Sequence, residues 1–278
     1  MKKIRFIKDN EKFKICLTTY FDKNFEKIGN LCLKGMRKYA KKYGYDLRLF
    51  KEISSDRPPA WNKILITHLL FNDPKNYDFV FWIDSDTLFW RFDEDIAGEI
   101  EDDKDFYLCR SNFSGKYLPL TGAYLIRNSK WAKNFLQDVW NLKKYTYHNW
   151  WENAAVDELL GYKNLIDYHP VKLFFVGILY KFNLKHIATK FLINTGFHKF
   201  FCKIFQKKVN NSINEKEEEV KSTGNENLKK TKWLDLKWDS LIELDEAPDP
   251  IIMHYPAMSF EERLKKMTKD FKKIKNIN

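Results

Sequence analysis

The sequence predicts an α/β fold in which helices flank a mainly parallel central sheet, interrupted by a basic helical insertion. Three observations carry this reading. The chain up to Phe50 has the pattern strand, helix, strand; the run Phe79-Val80-Phe81-Trp82-Ile83 is apolar without alternation; and the stretch beyond Val171 changes abruptly to lysine and phenylalanine. With 44% apolar and 17% aromatic residues the chain can bury a sizeable core, which excludes wholesale disorder.

Phe13 to Phe21 reads as the first strand, closed by Thr18-Thr19-Tyr20. Asn24 to Tyr43 places Phe25, Ile28, Leu31, Cys32, Met36 and Tyr39 at helical spacing, and Gly44 ends that helix. Asp46 to Phe50 is the second strand. This opening belongs to nucleotide-binding α/β domains, but it has neither a G-x-G-x-x-G motif nor a P-loop lysine, so dinucleotide and P-loop chemistry are not indicated.

Pro58-Pro59 breaks the chain, and a short helix follows from Trp61 to Phe71 with Trp61, Ile64, Leu65 and His68 inward; Lys63 projects off that face, either within reach of an anion in the crevice or as an ordinary exposed lysine. The run Phe79–Ile83 then reads as a strand buried on both faces. It ends in Asp84-Ser85-Asp86. In extended chain the two carboxylates at i and i+2 point to one side. They stand at the carboxyl end of a strand, where open α/β sheets bind ligands. Like charges held side by side repel unless a cation lies between them, and a hard divalent ion with a phosphate-bearing ligand suits the place. Because Asp and Ser also favour turns, a solvated strand-to-loop turn remains the alternative.

Asp105 to Cys109 and Leu120 to Arg127 are further strands, the second with Thr121-Gly122 near its start. Ser129 caps a helix with the stripe Trp131, Phe135, Leu136, Val139 and Trp140. Asn149 opens another that ends at Gly161. Glu152, three residues after a candidate Asn149 cap, has a helix-start reading beside any chemical one; Asn153 has none. Ile251-Ile252-Met253-His254 is a short apolar run ending in a residue that either binds metal or merely closes a strand.

The domain boundaries follow from composition: residues 1–168 and 233–260 form the catalytic domain, 169–209 the basic aromatic insertion, 210–232 a polar flexible linker, and 261–278 a basic amphipathic tail. Residues 171–208 carry eight lysines and no acid, with Phe174, Phe175, Ile178, Leu179 and Phe182 at helical spacing. This suits an anionic membrane surface; the alternative is packing on the catalytic domain. The net charge of +11 asks for an anionic partner, but no nucleic-acid-binding pattern is present. The beginning, Met1 to Phe13, is too charged for a signal peptide, and four cysteines without C-x-x-C spacing suit reduced thiols. The expectation is a cytoplasmic protein, peripheral on the inner face of a membrane.

Trp61-Asn62-Lys63, Asp84-Ser85-Asp86, Thr121 to Asn128, Trp151-Glu152-Asn153-Ala154-Ala155 and His254 occur in an order that resembles the GT-A glycosyltransferases. The resemblance is greatest to the fungal galactosyl/mannosyltransferase and plant xylosyltransferase family, glycosyltransferase family 34, over residues 13–165 and 248–260. It implies a GT-A nucleotide-sugar-binding fold and retaining transfer of a hexose or pentose from a UDP- or GDP-linked donor to a glycan or lipid-linked acceptor. By resemblance, Asp86 and His254 hold the metal, with Asp84 a further ligand or a contact to the nucleotide ribose; carboxylates plus one imidazole fit Mn²⁺ better than the alternative, Mg²⁺. Thr18, Thr19, Tyr20, Asp84, Ser85, Thr121 and Gly122 line the donor, with Lys63 near its diphosphate. Glu152 and Asn153 stand beside the donor sugar, and Glu152, Asn153 and Lys63 form the catalytic set. Leu120 replaces the family's asparagine before Thr-Gly, Asn153 replaces its glutamine, and Arg263 or Lys265 replaces its basic residue after the histidine. Two other readings compete: a haloacid-dehalogenase-like phosphatase, whose motif places the threonine one residue later than Thr87, and a non-enzymatic membrane- or nucleic-acid-binding protein.

Overall fold

The computed structural model describes residues 13–113, 115–162 and 225–274. Strand β1 (Ile15–Tyr20) leads through helix α1 (Glu26–Tyr43) to β2 (Asp46–Phe50), which pairs parallel to it. A left-handed Gly44 (φ 74°) stops α1, as a glycine cap does. Helix α2 (Asn62–Phe71) then delivers the chain to β3 (Phe79–Ile83) on the other side of β1, again parallel. A short strand β4 (Thr87–Phe89) follows. The hairpin of β5 (Phe106–Phe113) and β6 (Lys116–Arg127) closes the sheet, with β6 antiparallel to β3.

Helices α3 (Lys130–Asn141) and α4 (Trp151–Leu159) come next. The Ser129 hydroxyl accepts from the Ala132 N–H at 3.1 Å, the cap its position implies. Helix α5 (Glu226–Lys229) and strand β7 (Thr231–Trp233) add an edge to β5. The main sheet therefore runs β2-β1-β3-β6-β5-β7, five strands in one sense and β6 in the other. A second sheet joins β4, β9 (Ile252–His254) and β8 (Ser240–Leu241), and α6 (Phe260–Phe271) ends the described chain. The α/β class with a mainly parallel central sheet is the one expected.

Strand β3 shows why its run lacks alternation. Phe79, Phe81 and Ile83 enter the cluster beneath α1, whereas Val80 and Trp82 enter the cluster beneath α2, α3 and α4. All five are buried.

Three expectations change. On α2 the buried face contains Lys63, Ile66, Thr67 and Leu70, so Lys63 points inward. The last part of the expected linker, residues 225–232, forms α5 and most of β7, since Thr231 and Trp233 find pairing partners on β5. The expected tail packs α6 onto α1: Leu264, Met267 and Phe271 join Ile28 in one cluster, and Phe25 meets Phe260 edge to face. Its apolar stripe is used up in the protein and is not free for a bilayer. Cys16, Cys32 and Cys109 are buried free thiols. The insertion at 169–209 lies outside the described residues, as does the linker before residue 225. No described helix is long and apolar enough to cross a membrane.

Candidate active site

The register of β3 against its neighbours builds the site. Thr18 pairs with Trp82, so Tyr20 and Asp84 leave the sheet side by side at the carboxyl edge. On the other flank Ile83 pairs with Ala123 of β6, and the Asp84 N–H donates to the Gly122 carbonyl at 2.7 Å. Because β6 runs antiparallel and β3 ends opposite Ala123, Thr121 and Gly122 at the middle of β6 reach the same edge. In the second sheet Thr87 pairs with His254, which brings the end of β9 beside Asp86.

Asp84, Asp86 and His254 each offer a ligand atom within 4.8 Å of the others. Asp86 lies between two cations, with Oδ1 3.4 Å from His254 Nε2 and Oδ2 3.4 Å from Arg263 Nε. Burial works against its ionisation, but Arg263 and His254 outweigh that and hold the carboxyl well below the usual range. Burial raises the Asp84 carboxyl, an effect that Lys63 partly offsets. For His254 burial opposes protonation, yet Asp239 and Asp86 push the imidazole up to about 10. Both ring nitrogens face a carboxylate, which favours the protonated ring. Two carboxylates and an imidazole suit a divalent ion whose binding displaces that proton.

Lys63 sits beneath this cluster. Its Nζ lies 2.9 Å from Asp84 Oδ1, 2.9 Å from Glu152 Oε1 and 3.0 Å from the Thr121 carbonyl. An ammonium has three donors, so all are committed to protein. Burial would neutralise Lys63, but Asp84 and Glu152 outweigh it and keep it charged.

Glu152 shares Oε1 with the Thr121 hydroxyl at 3.2 Å, while its buried Oε2 has no hydrogen-bond partner. Burial raises its carboxyl despite Lys63. Asn149 does not cap α4; the cap position is Trp150, with no side-chain bond, and Glu152 turns to the Lys63 ammonium instead. Trp151 before it holds φ 42°, a left-handed conformation that is costly for a bulky residue.

Asn153 has no unused hydrogen bond. Its Oδ1 accepts from the Thr121 N–H at 2.9 Å and, at 2.8 Å, from the Thr121 hydroxyl, whose one proton it shares with Glu152 Oε1; its Nδ2 donates to the Pro119 carbonyl and Asp157 Oδ1, each at 3.1 Å. Asn153 therefore holds Thr121 in place. On β1 the Thr18 hydroxyl donates to the Arg48 carbonyl at 2.9 Å. Thr19 Oγ1 and Asn62 Oδ1 are buried without partners, while Tyr20 and Ser85 are half-buried at the edge. Of the two basic candidates after His254, Arg263 reaches Asp86 and Lys265 is exposed.

Sequence reasoning missed Asp239. It is fully buried, with Oδ1 2.9 Å from His254 Nδ1 and Oδ2 accepting from the Ala123 N–H at 3.0 Å. Trp238-Asp239-Ser240 carries no motif that could have found it.

No protein-family model matches the chain. Over 163 residues it is 24% identical to a protein described as a probable alpha-1,6-mannosyltransferase, MNN10, of Saccharomyces cerevisiae. That match spans 48% of this chain and 42% of the yeast protein, less than half the length of either. Among solved structures, a glycosyltransferase involved in the glycosylation of the major capsid of PBCV-1 superimposes with a TM-score of 0.52 at 14% identity, over 91% of this chain and 99% of that one. The likeness shows the fold: this chain has the GT-A glycosyltransferase fold expected from its motifs.

Proposed function

We propose that the protein is a metal-dependent glycosyltransferase that moves a hexose or pentose from a UDP- or GDP-linked sugar to a glycan or lipid-linked acceptor. The observation that carries this reading is the convergence of Asp84, Asp86 and His254, from two sheets, at the carboxyl edge of β3. The fold and the yeast mannosyltransferase match support it and do not favour a phosphatase or a nucleic-acid-binding protein.

Asp84, Asp86 and His254 would hold a divalent ion, Mn²⁺ in preference to Mg²⁺, which would supply neutralisation of charge on the departing nucleoside diphosphate. The protein's own groups do the rest. Arg263 presents a second cation beside Asp86, which supports a role for it at the diphosphate. Lys63 acts one layer below: it anchors Asp84 and Glu152 so that neither carboxylate swings away. Glu152 Oε2, without a donor of its own, suits a hydroxyl of the donor sugar, because a buried acceptor left unmade costs about 1–3 kcal/mol. Asn153 acts through Thr121. Thr19 Oγ1 and Asn62 Oδ1 are buried without partners, which supports assigning them, with Tyr20, to the nucleoside. We assign retention of configuration, with attack on the face from which the diphosphate leaves. The composition of residues 171–208 supports contact with an anionic membrane surface, which suits a lipid-linked acceptor.

Release of nucleoside diphosphate from UDP- and GDP-linked sugars, with and without Mn²⁺, tests the reading. Wild type should turn over one class of donor only with metal, and Asp86→Ala should lose ~10²-fold or more in rate. Turnover undiminished by exhaustive chelation would remove the metal from the mechanism. Absence of turnover with every donor would overturn the transfer reaction.

A further inference from the structure

Asp239 accepts at both oxygens, from groups that serve the site. One is the His254 ring at Nδ1, 2.9 Å away; the other is the backbone N–H of Ala123, 3.0 Å away, on the strand that pairs with β3 beside Asp84. The carboxylate is fully buried, so solvent does not compete for either bond. Space is as tight as the bonding. A Cβ at Gly122 would stand 2.4 Å from His254 Cε1 and Nδ1 and 2.9 Å from Asp239 Oδ2, so this pair fits only because residue 122 has no side chain.

We infer that Asp239 is a positioning residue that sets the tautomer and the aim of His254. A carboxylate can only accept. It therefore keeps the proton on Nδ1, and the lone pair of Nε2, on the far side of the ring, is directed toward Asp86 and Asp84. A metal-bound histidine whose other nitrogen donates to a carboxylate is both oriented and made more basic. The inference rests on the metal reading of the preceding section, and on nothing concerning donor or acceptor.

Asp239→Asn tests it, because an amide has one acceptor where two are needed. If its oxygen keeps the Ala123 N–H, its NH₂ faces Nδ1. The imidazole must then accept there and carry its proton on Nε2, the wrong tautomer for a ligand. Mn²⁺ affinity of the folded fraction, read by electron paramagnetic resonance of the free ion, should fall roughly 10–100-fold; the melting temperature of the metal-free protein falls in either case, because the His254 ring loses a buried partner. A merely structural Asp239 lowers the melting temperature and leaves wild-type affinity in the folded fraction. That result overturns the inference and leaves the metal site standing. Wild-type protein that binds no Mn²⁺ would instead overturn the metal reading, and this inference with it.

A second measurement does not depend on how the variant folds. ¹⁵N NMR of wild-type protein saturated with diamagnetic Mg²⁺, with His254 assigned by loss of its signals in His254→Gln, should show a protonated Nδ1 and a bare Nε2. The reverse tautomer would overturn the proposal.

Discussion

The Nζ of Lys63 stands 2.9 Å from Oε1 of Glu152, and both side chains are only 4% exposed. Removing one partner of such a pair strands a charge, at a cost of about 3–5 kcal/mol. Lys63→Met should therefore destabilise the protein by that amount in urea unfolding. Glu152→Gln added to it should cost less than the two single changes together, with a coupling of about 0.5–3 kcal/mol. Additive effects would mean that the pair does not act as a unit.

Asp157 lies beneath Asn153 with one oxygen unpartnered, and burial raises its carboxyl well above the ordinary value. The sign follows from linkage. A carboxyl raised in the folded state keeps a proton that the unfolded chain releases, so its contribution is full below about pH 4 and is lost as pH rises through the folded value. Asp157→Asn removes that loss. The variant should gain stability relative to wild type as pH increases above about 4, measured by urea melts across pH. A stability difference independent of pH would show that the group is ionised in the fold.

Gly122 is required by close approach. Gly122→Ala drives a methyl into the His254 ring. We expect a loss of about 1–3 kcal/mol in stability together with weaker Mn²⁺ binding, since His254 must shift away from Asp86. Calorimetric titration with Mn²⁺ checks this, and wild-type affinity would show that the ring is not a ligand.

Arg263 Nε bonds the Tyr255 carbonyl at 2.7 Å and approaches Asp86. If its remaining donors meet the diphosphate, Arg263→Met raises KM for the donor and slows turnover by ~10²-fold, while Mn²⁺ still binds. Unchanged steady-state constants would confine Arg263 to holding Tyr255.

Co-sedimentation with anionic and neutral vesicles tests the basic segment. The full chain should bind anionic vesicles, and a chain lacking residues 171–208 should bind them more weakly, by ~1 kcal/mol for each lysine lost near the surface. Equal and negligible binding of both would remove the membrane from the proposal. Because α6 packs its apolar face on α1, deleting the end of the chain should disturb the fold and is not the variant to use.

Local pattern determined a good deal of this protein. The double-sided burial of β3, the Gly44 stop, the Ser129 cap and the βαβ opening each follow from spacing, because strand and helix periods are properties of the backbone. The Asp84-Ser85-Asp86 pair and His254 were legible for the same reason: each sits where an apolar run stops, and a run's end is visible in sequence.

What tertiary structure alone decided is which partners those groups have. Spacing put Lys63 off the apolar face of α2; the two carboxylates that make its burial tolerable come from the end of β3 and from α4, remote in sequence. Asn153 spends its amide on Thr121, Pro119 and Asp157, a fact that depends on how α4 packs beside β6. Asp239 acquires its role only when β8 is laid beside β9. A side chain's chemistry is set by the groups within hydrogen-bond distance of it. In this fold those groups are joined by long-range strand pairing, which no local period in the sequence records.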